Sequence, residues 1–153
     1  MTNPLHSEKS NNLGLLLGRL PIGAFFLLAG ISKLQMGVAN FVSYASHYGH
    51  APGGVPSAWV DNYLHAIPFL ELAVGILLIA GLLERLAALL GAMMVLSFTI
   101  GFTGLHGVSE SDKALPFHWN LIYIGLLLML FLAGPGRISV DALLFGRARS
   151  PRG

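Results

Sequence analysis

The 153-residue chain contains no cysteine. That excludes a disulfide, a thiolate metal site and a CxxC redox pair in any compartment, so a redox role would have to use a bound cofactor or a partner's thiols. Charge is scarce as well: 10% of the residues are Asp, Glu, Lys or Arg, against roughly a quarter in an ordinary soluble domain. That is too little to clothe a globule in water. The chain lacks a basic stripe interleaved with stacking aromatics on a polar face, which argues against nucleic acid as a partner. It also lacks HExxH-type metal spacing, a phosphate-cradling glycine loop, a serine hydrolase elbow and a paired acidic motif. No metal site and no catalytic reaction follow from its motifs, so whether it is an enzyme stays open. The first apolar stretch carries Arg19 and has no clean small-residue cleavage site, so it reads as an uncleaved span rather than a signal peptide.

What the chain has instead is apolar residues, 54% of the total, gathered in long blocks. Such blocks predict a single all-α domain, an integral membrane four-helix bundle whose first partner is the lipid bilayer. The spans are expected at about 13–35, 61–83, 86–104 and 117–134, between a polar tail over 1–12 and a basic tail over 145–153. Arg19 has to lie inside the first span. Starting that span at Pro21 would leave about 15 residues, roughly 22 Å of helix against a hydrocarbon core of about 30 Å. Gly134-Pro135-Gly136 stops the fourth span, and Ser139 can cap a short helix reaching Phe145. Residues 37–60 hold Phe41, Tyr44, Tyr48, Trp59 and several prolines and glycines, and read as a long aromatic loop at the membrane interface. Glu84 and Arg85 read as a tight charged turn, and 105–116 as a polar loop.

Four spans put the N-terminus, the 84–85 turn and the C-terminus on one side. That side carries Lys9, Arg85, Arg137, Arg147, Arg149 and Arg152, the other only Lys33 and Lys113. The positive-inside rule then predicts both termini in the cytoplasm, with the aromatic loop outside. The crowding of arginines near the C-terminus suits an anionic lipid surface.

Ionisable residues inside a span are costly, and they tend to be paired, interior or functional. Arg19, Gly23, Phe26, Gly30 and Lys33 share one face of the first helix, and Pro68, Glu71, Gly75, Leu78 and Leu82 share one face of the second. Counting rise per residue places Glu71 between the depths of Arg19 and Lys33, within reach of either. The pairing admits two readings: an ion pair that sets helix register, or a ligand or proton site. His65, His106 and His118 are expected near the outer ends of three helices, where they could bind a metal or haem, relay protons or simply anchor at the interface. Asn120 and Tyr123, with Ser97, Thr99 and Thr103, are candidates for hydrogen bonds across helices.

These residues resemble the DoxX-like family of small four-helix membrane proteins over roughly Leu13 to Leu144. The resemblance is carried by Gly18-Arg19-Leu20, by Ala29-Gly30-Ile31-Ser32-Lys33, by Glu71-Leu72-Ala73-Val74-Gly75-Ile76-Leu77-Leu78 leading to Gly81, and by the run from Gly134 to Asp141. It implies a bacterial or archaeal cytoplasmic-membrane protein, and it puts Arg19, Lys33 and Glu71 on recurrent charged positions. Some relatives are subunits of a thiosulfate:quinone oxidoreductase and others are linked to complexes that handle oxidative or thiol stress. The absence of cysteine departs from any thiol-active relative. The expectation is therefore a subunit of a membrane redox system, with a quinone as candidate ligand and a protein partner in that system. The alternative is a non-enzymatic membrane anchor or assembly partner for a soluble protein. A solute transporter ranks below both, because four helices leave little room for alternating access unless the chain forms a homo-oligomer.

Overall fold

The computed structural model describes residues 8–48, 55–103 and 119–145. All regular structure among them is helical: α1 (Glu8–Met36), α2 (Val38–Tyr48), α3 (Ser57–Ala80), α4 (Glu84–Phe98), a π-helical turn (Thr99–Thr103), α5 (Trp119–Ala133) and α6 (Val140–Phe145). By length and composition α1, α3 and α4 with the start of the π turn can each cross a membrane, and α5 is a shorter apolar helix in its described part. The protein is an all-helical membrane bundle, as its apolar blocks predict.

The most extensive pairing is α1 against α3, and small residues on the two predicted stripes make it possible. A β-carbon on Gly75 would lie 2.5 Å from the Leu27 nitrogen, and one on Gly30 would lie 2.8 Å from both the Leu72 nitrogen and the Pro68 oxygen. The backbones meet there with no space for a side chain, the arrangement that lets helices pack in lipid without a hydrophobic driving force. Ile22, Phe26, Val74 and Leu78 extend this seam into a core completed by Ala88, Val95, Leu127 and Leu130 from α4 and α5. Phe25 of α1 stacks on Tyr123 of α5, with ring centroids 4.7 Å apart.

Two segments differ from the sequence expectation. The connection after the first span is largely helix rather than loop. Gly37 turns the chain with a φ of +89°, and α2 follows, because Val38, Phe41, Val42 and Ala45 repeat at helical spacing. Phe41, Val42 and Ala45 bury themselves against Leu64 and Ile67 of α3. Likewise Glu84 opens α4 instead of forming the turn. The reversal is made by Gly81, with φ +64°, and Leu83, with φ +49°. A β-carbon at Gly81 would meet Arg19 Nη1 at 2.5 Å and the Ser139 β-carbon at 2.7 Å, so both backbone and packing demand glycine there.

Candidate functional site

Two ion pairs stand at different depths in the bundle. The Lys33 ammonium lies 2.8 Å from Glu71 Oε1 and 2.7 Å from Oε2. Arg19 does not reach Glu71. Its Nη1 donates to Glu84 Oε2 at 3.1 Å and to the Pro135 carbonyl at 3.0 Å, while Nη2 donates to the Ile138 carbonyl. The reach of Glu71 to either cation is thus resolved in favour of Lys33, and the partner of Arg19 is a residue assigned by sequence to a turn. Arg19 and Lys33 lie 14 positions apart on α1, about 20 Å of helix, whereas Glu71 lies on α3 and Glu84 opens α4, so the Arg19 pairing depends on the turn between those two helices.

The Arg19 pair belongs to a closed node. Arg19 is 3% exposed and Glu84 is fully buried. Arg19 Nε and Glu84 Oε1 have no hydrogen-bond partner among the described residues. The segment after α5 wraps this node. Ser139 Oγ donates to the Gly136 carbonyl and accepts from Ala142 N, capping α6. The Asp141 carboxylate accepts the Leu83 and Glu84 amides at 2.9 and 3.1 Å, satisfying donors that the first turn of α4 cannot satisfy itself. Asp141 N donates to the Gly81 carbonyl, and Arg137 N donates to Asn12 Oδ1 at 2.8 Å. One buried guanidinium therefore ties α1, the α3–α4 turn and the chain beyond α5 together at one end. Among the described residues, the acceptors of its N–H groups are the Glu84 carboxylate and the Pro135 and Ile138 carbonyls.

The Lys33 pair is different in kind. Glu71 is 2% exposed but Lys33 is 22% exposed. An ammonium carries three N–H donors, and Glu71 takes two. The Lys33 nitrogen also lies 5.4 Å from the ring centre of Phe41, on α2, and 5.9 Å from that of Phe98, on α4, within the range of cation–π attraction. Phe98 touches both apolar clusters. Three helices besides α1 therefore contribute to the surroundings of this ammonium: α2, α3 and α4.

Two hydrogen-bond relays join neighbouring helices at the α4 end of the same region. Ser97 Oγ donates to the Met94 carbonyl at 2.7 Å, so its single proton is spent and Tyr63 must be the donor in the 2.5 Å contact between the two hydroxyls. Thr99 Oγ1 likewise donates to the Val95 carbonyl at 2.8 Å, and Asn120 Nδ2 donates to Thr99 at 3.0 Å. Tyr63 was not among the residues singled out by sequence. Its signal is faint, since one tyrosine near a helix start ordinarily reads as an interfacial anchor.

Of the three histidines, only His65 lies in the described residues. It is half exposed and donates from Nδ1 to the Asp61 carbonyl at 2.9 Å, on its own helix. His106 and His118 lie outside the described residues, as do His50 and the 105–116 loop, so a convergence of imidazoles is untouched by the geometry. Tyr123 contributes its ring to the α1–α5 contact rather than to the Lys33 pair.

Comparison with known proteins agrees with this architecture. The model of the DoxX family matches residues 14–104. The chain is 31% identical over 143 residues to the inner membrane protein YqjF of Escherichia coli (strain K12), an alignment covering 90% of this chain and 96% of that protein. No solved structure matches.

Proposed function

The chain belongs to the DoxX family, and from that premise we propose that it is a subunit of a membrane redox system that holds a quinone, or a similarly amphipathic carbonyl compound, against Lys33. The observation carrying this reading is that Lys33 is a partly exposed ammonium, with Glu71 behind it and the Phe41 and Phe98 rings nearby. A quinone needs a hydrogen-bond donor at a carbonyl oxygen and apolar, aromatic surroundings for its ring. The third N–H of Lys33 supplies the donor. Glu71 keeps the ammonium charged and aimed, and offers a carboxylate for the proton that accompanies reduction. Asn120 and, from the undescribed part, His118 are the further polar contacts this reading assigns to the quinone. The orientation that goes with it puts both termini in the cytoplasm, in a bacterial inner membrane.

The test is binding of a short-chain quinone to the full-length protein in nanodiscs. Glu71→Gln keeps the shape of the side chain and removes its charge. It should leave the helical content intact and weaken quinone binding about 10- to 100-fold, the scale of a lost charge-assisted hydrogen bond. Lys33→Met should do at least as much. A folded Glu71→Gln protein that binds and turns over quinone as the parent does would end the proposal.

The alternative, a non-enzymatic anchor for a soluble protein, draws on one observation: Tyr44 and Trp59, flanking the α2–α3 connection, are exposed. Removing residues 38–60 should then release a partner from detergent extracts, whereas point substitutions at Lys33 should not.

A further inference from the structure

Phe98 stands where α4 gives way to the π-helical turn, and its ring centre is 5.9 Å from the Lys33 nitrogen. That is the edge of the range, about 6 Å, over which a ring face attracts a cation. A small outward displacement takes the ring out of that range, so whatever fixes Phe98 decides what the ammonium faces. The backbone beyond Phe98 follows the wider π pattern, which is rare in proteins and recurs at functional sites. Side chains of two other helices hold the residues on either side of it. Tyr63 of α3 donates to Ser97 at 2.5 Å, and Asn120 of α5 donates to Thr99 at 3.0 Å. The first of these bonds has a fixed direction, because Ser97 has given its proton to the Met94 carbonyl. It also has a reason to persist. The Tyr63 ring packs on the apolar cluster that contains Phe41, as does Phe98, and a phenol proton there is costly without an acceptor.

We propose that Tyr63 is a positioning residue of the Lys33 site: by holding Ser97 it keeps the Phe98 ring over the ammonium, which shields from water the N–H that Glu71 does not take and reserves it for a neutral carbonyl ligand. Lys33 and Glu71 together carry no net charge, and the Phe41 and Phe98 rings displace water around them. Such surroundings favour a neutral amphipathic molecule over a hydrated anion. Tyr63 acts through Phe98 and not on the ligand. A phenol that merely joined α3 to α4, as hydroxyls between membrane helices do, would contribute to stability and leave Lys33 indifferent to its loss. The shielding of Lys33 stands without any ligand, whereas the effect on a quinone rests on the function proposed above.

The chain has three lysines, Lys9, Lys33 and Lys113, so acetylation by a water-soluble N-hydroxysuccinimide ester can be followed at each by mass spectrometry of the full-length protein in nanodiscs. Tyr63→Phe removes the donor and keeps the ring. It should raise the rate at Lys33 relative to Lys9 about fivefold, the scale of one neutral hydrogen bond, and weaken binding of a short-chain quinone by a similar factor. Ser97→Ala, which removes the acceptor, should do the same. Phe98→Leu should itself expose Lys33, and adding Tyr63→Phe to it should change the rate no further, because residues that act through one another are not additive. Unchanged acetylation of Lys33 in both Tyr63→Phe and Ser97→Ala would overturn the proposal, even with a lowered thermal midpoint. So would an effect of Tyr63→Phe that persists in full beside Phe98→Leu. Failure of the quinone reading looks different: the parent protein binds no quinone, while the acetylation pattern across the four variants is kept. Circular dichroism of each variant separates exposure of Lys33 from loss of the fold.

Discussion

At the scale of single residues, the two cations of α1 do different work although they lie on one stripe. Lys33 faces a carboxylate on one side and is open on another, whereas Arg19 is enclosed by one carboxylate and two backbone carbonyls. Removing one member of a buried pair leaves an uncompensated charge and costs about 3–5 kcal/mol. Glu84→Ala should therefore destabilise the detergent-solubilised protein by roughly that amount in a denaturant titration. Replacing both partners is the more informative measurement. For a simple buried pair, two apolar residues of similar volume are often neutral. Here Arg19→Met with Glu84→Leu should stay about 2 kcal/mol or more below the parent, because the Pro135 and Ile138 carbonyls lose their donor as well. Full recovery in the double variant would reduce Arg19 to an ion-pair partner and remove its role as the clasp of the C-terminal segment.

At the scale of elements, the stability of the bundle is concentrated where α1 and α3 touch through backbone. Gly75→Ala places a β-carbon against the Leu27 nitrogen at 2.5 Å, and backbone cannot rotate aside as a side chain can. The helices must separate, at a cost at or above the upper end of the usual 1–3 kcal/mol for overpacking, about 3 kcal/mol. Gly125→Ala on α5 meets nothing within 4 Å and should be neutral or stabilise by about 0.5 kcal/mol. A thermal midpoint that falls equally for both variants would show that glycine content rather than the α1–α3 contact matters. The stripes that meet here were legible from sequence because a period of 3.6 residues carries the same face forward along a helix, and the four apolar blocks were legible from length alone. Less was legible where the signals competed. The Pro and Gly cluster from 52 to 56 drew all of 37–60 into a loop, although Val38, Phe41, Val42 and Ala45 already had helical spacing. The Arg19–Glu84 pair was hidden because a charged residue beside a hairpin turn ordinarily faces water. Among the described residues it is the Asp141 carboxylate, brought from 57 positions away, that accepts the first amides of α4, while the Glu84 side chain is buried on Arg19.

At the scale of the whole molecule, one end gathers the first half of α1, the α3–α4 turn and the segment after α5, and the residues around that end are basic. The opposite connection, between α4 and α5, contains Glu110 and Asp112 against Lys113. Insertion follows the lysines and arginines flanking the spans, so the basic end should be cytoplasmic and the α4–α5 connection external. The natural absence of cysteine makes the orientation directly measurable with two single replacements. Ser111→Cys should react with a membrane-impermeant maleimide added to intact spheroplasts. Ser150→Cys should react only after the membrane is permeabilised. Labelling of Ser150→Cys from outside, with Ser111→Cys protected, would invert the protein. The Lys33–Glu71 pair would still lie in the half of the bundle away from the arginines, but that half would face the cytoplasm, and the electron partner of a quinone held there would have to be sought on that side.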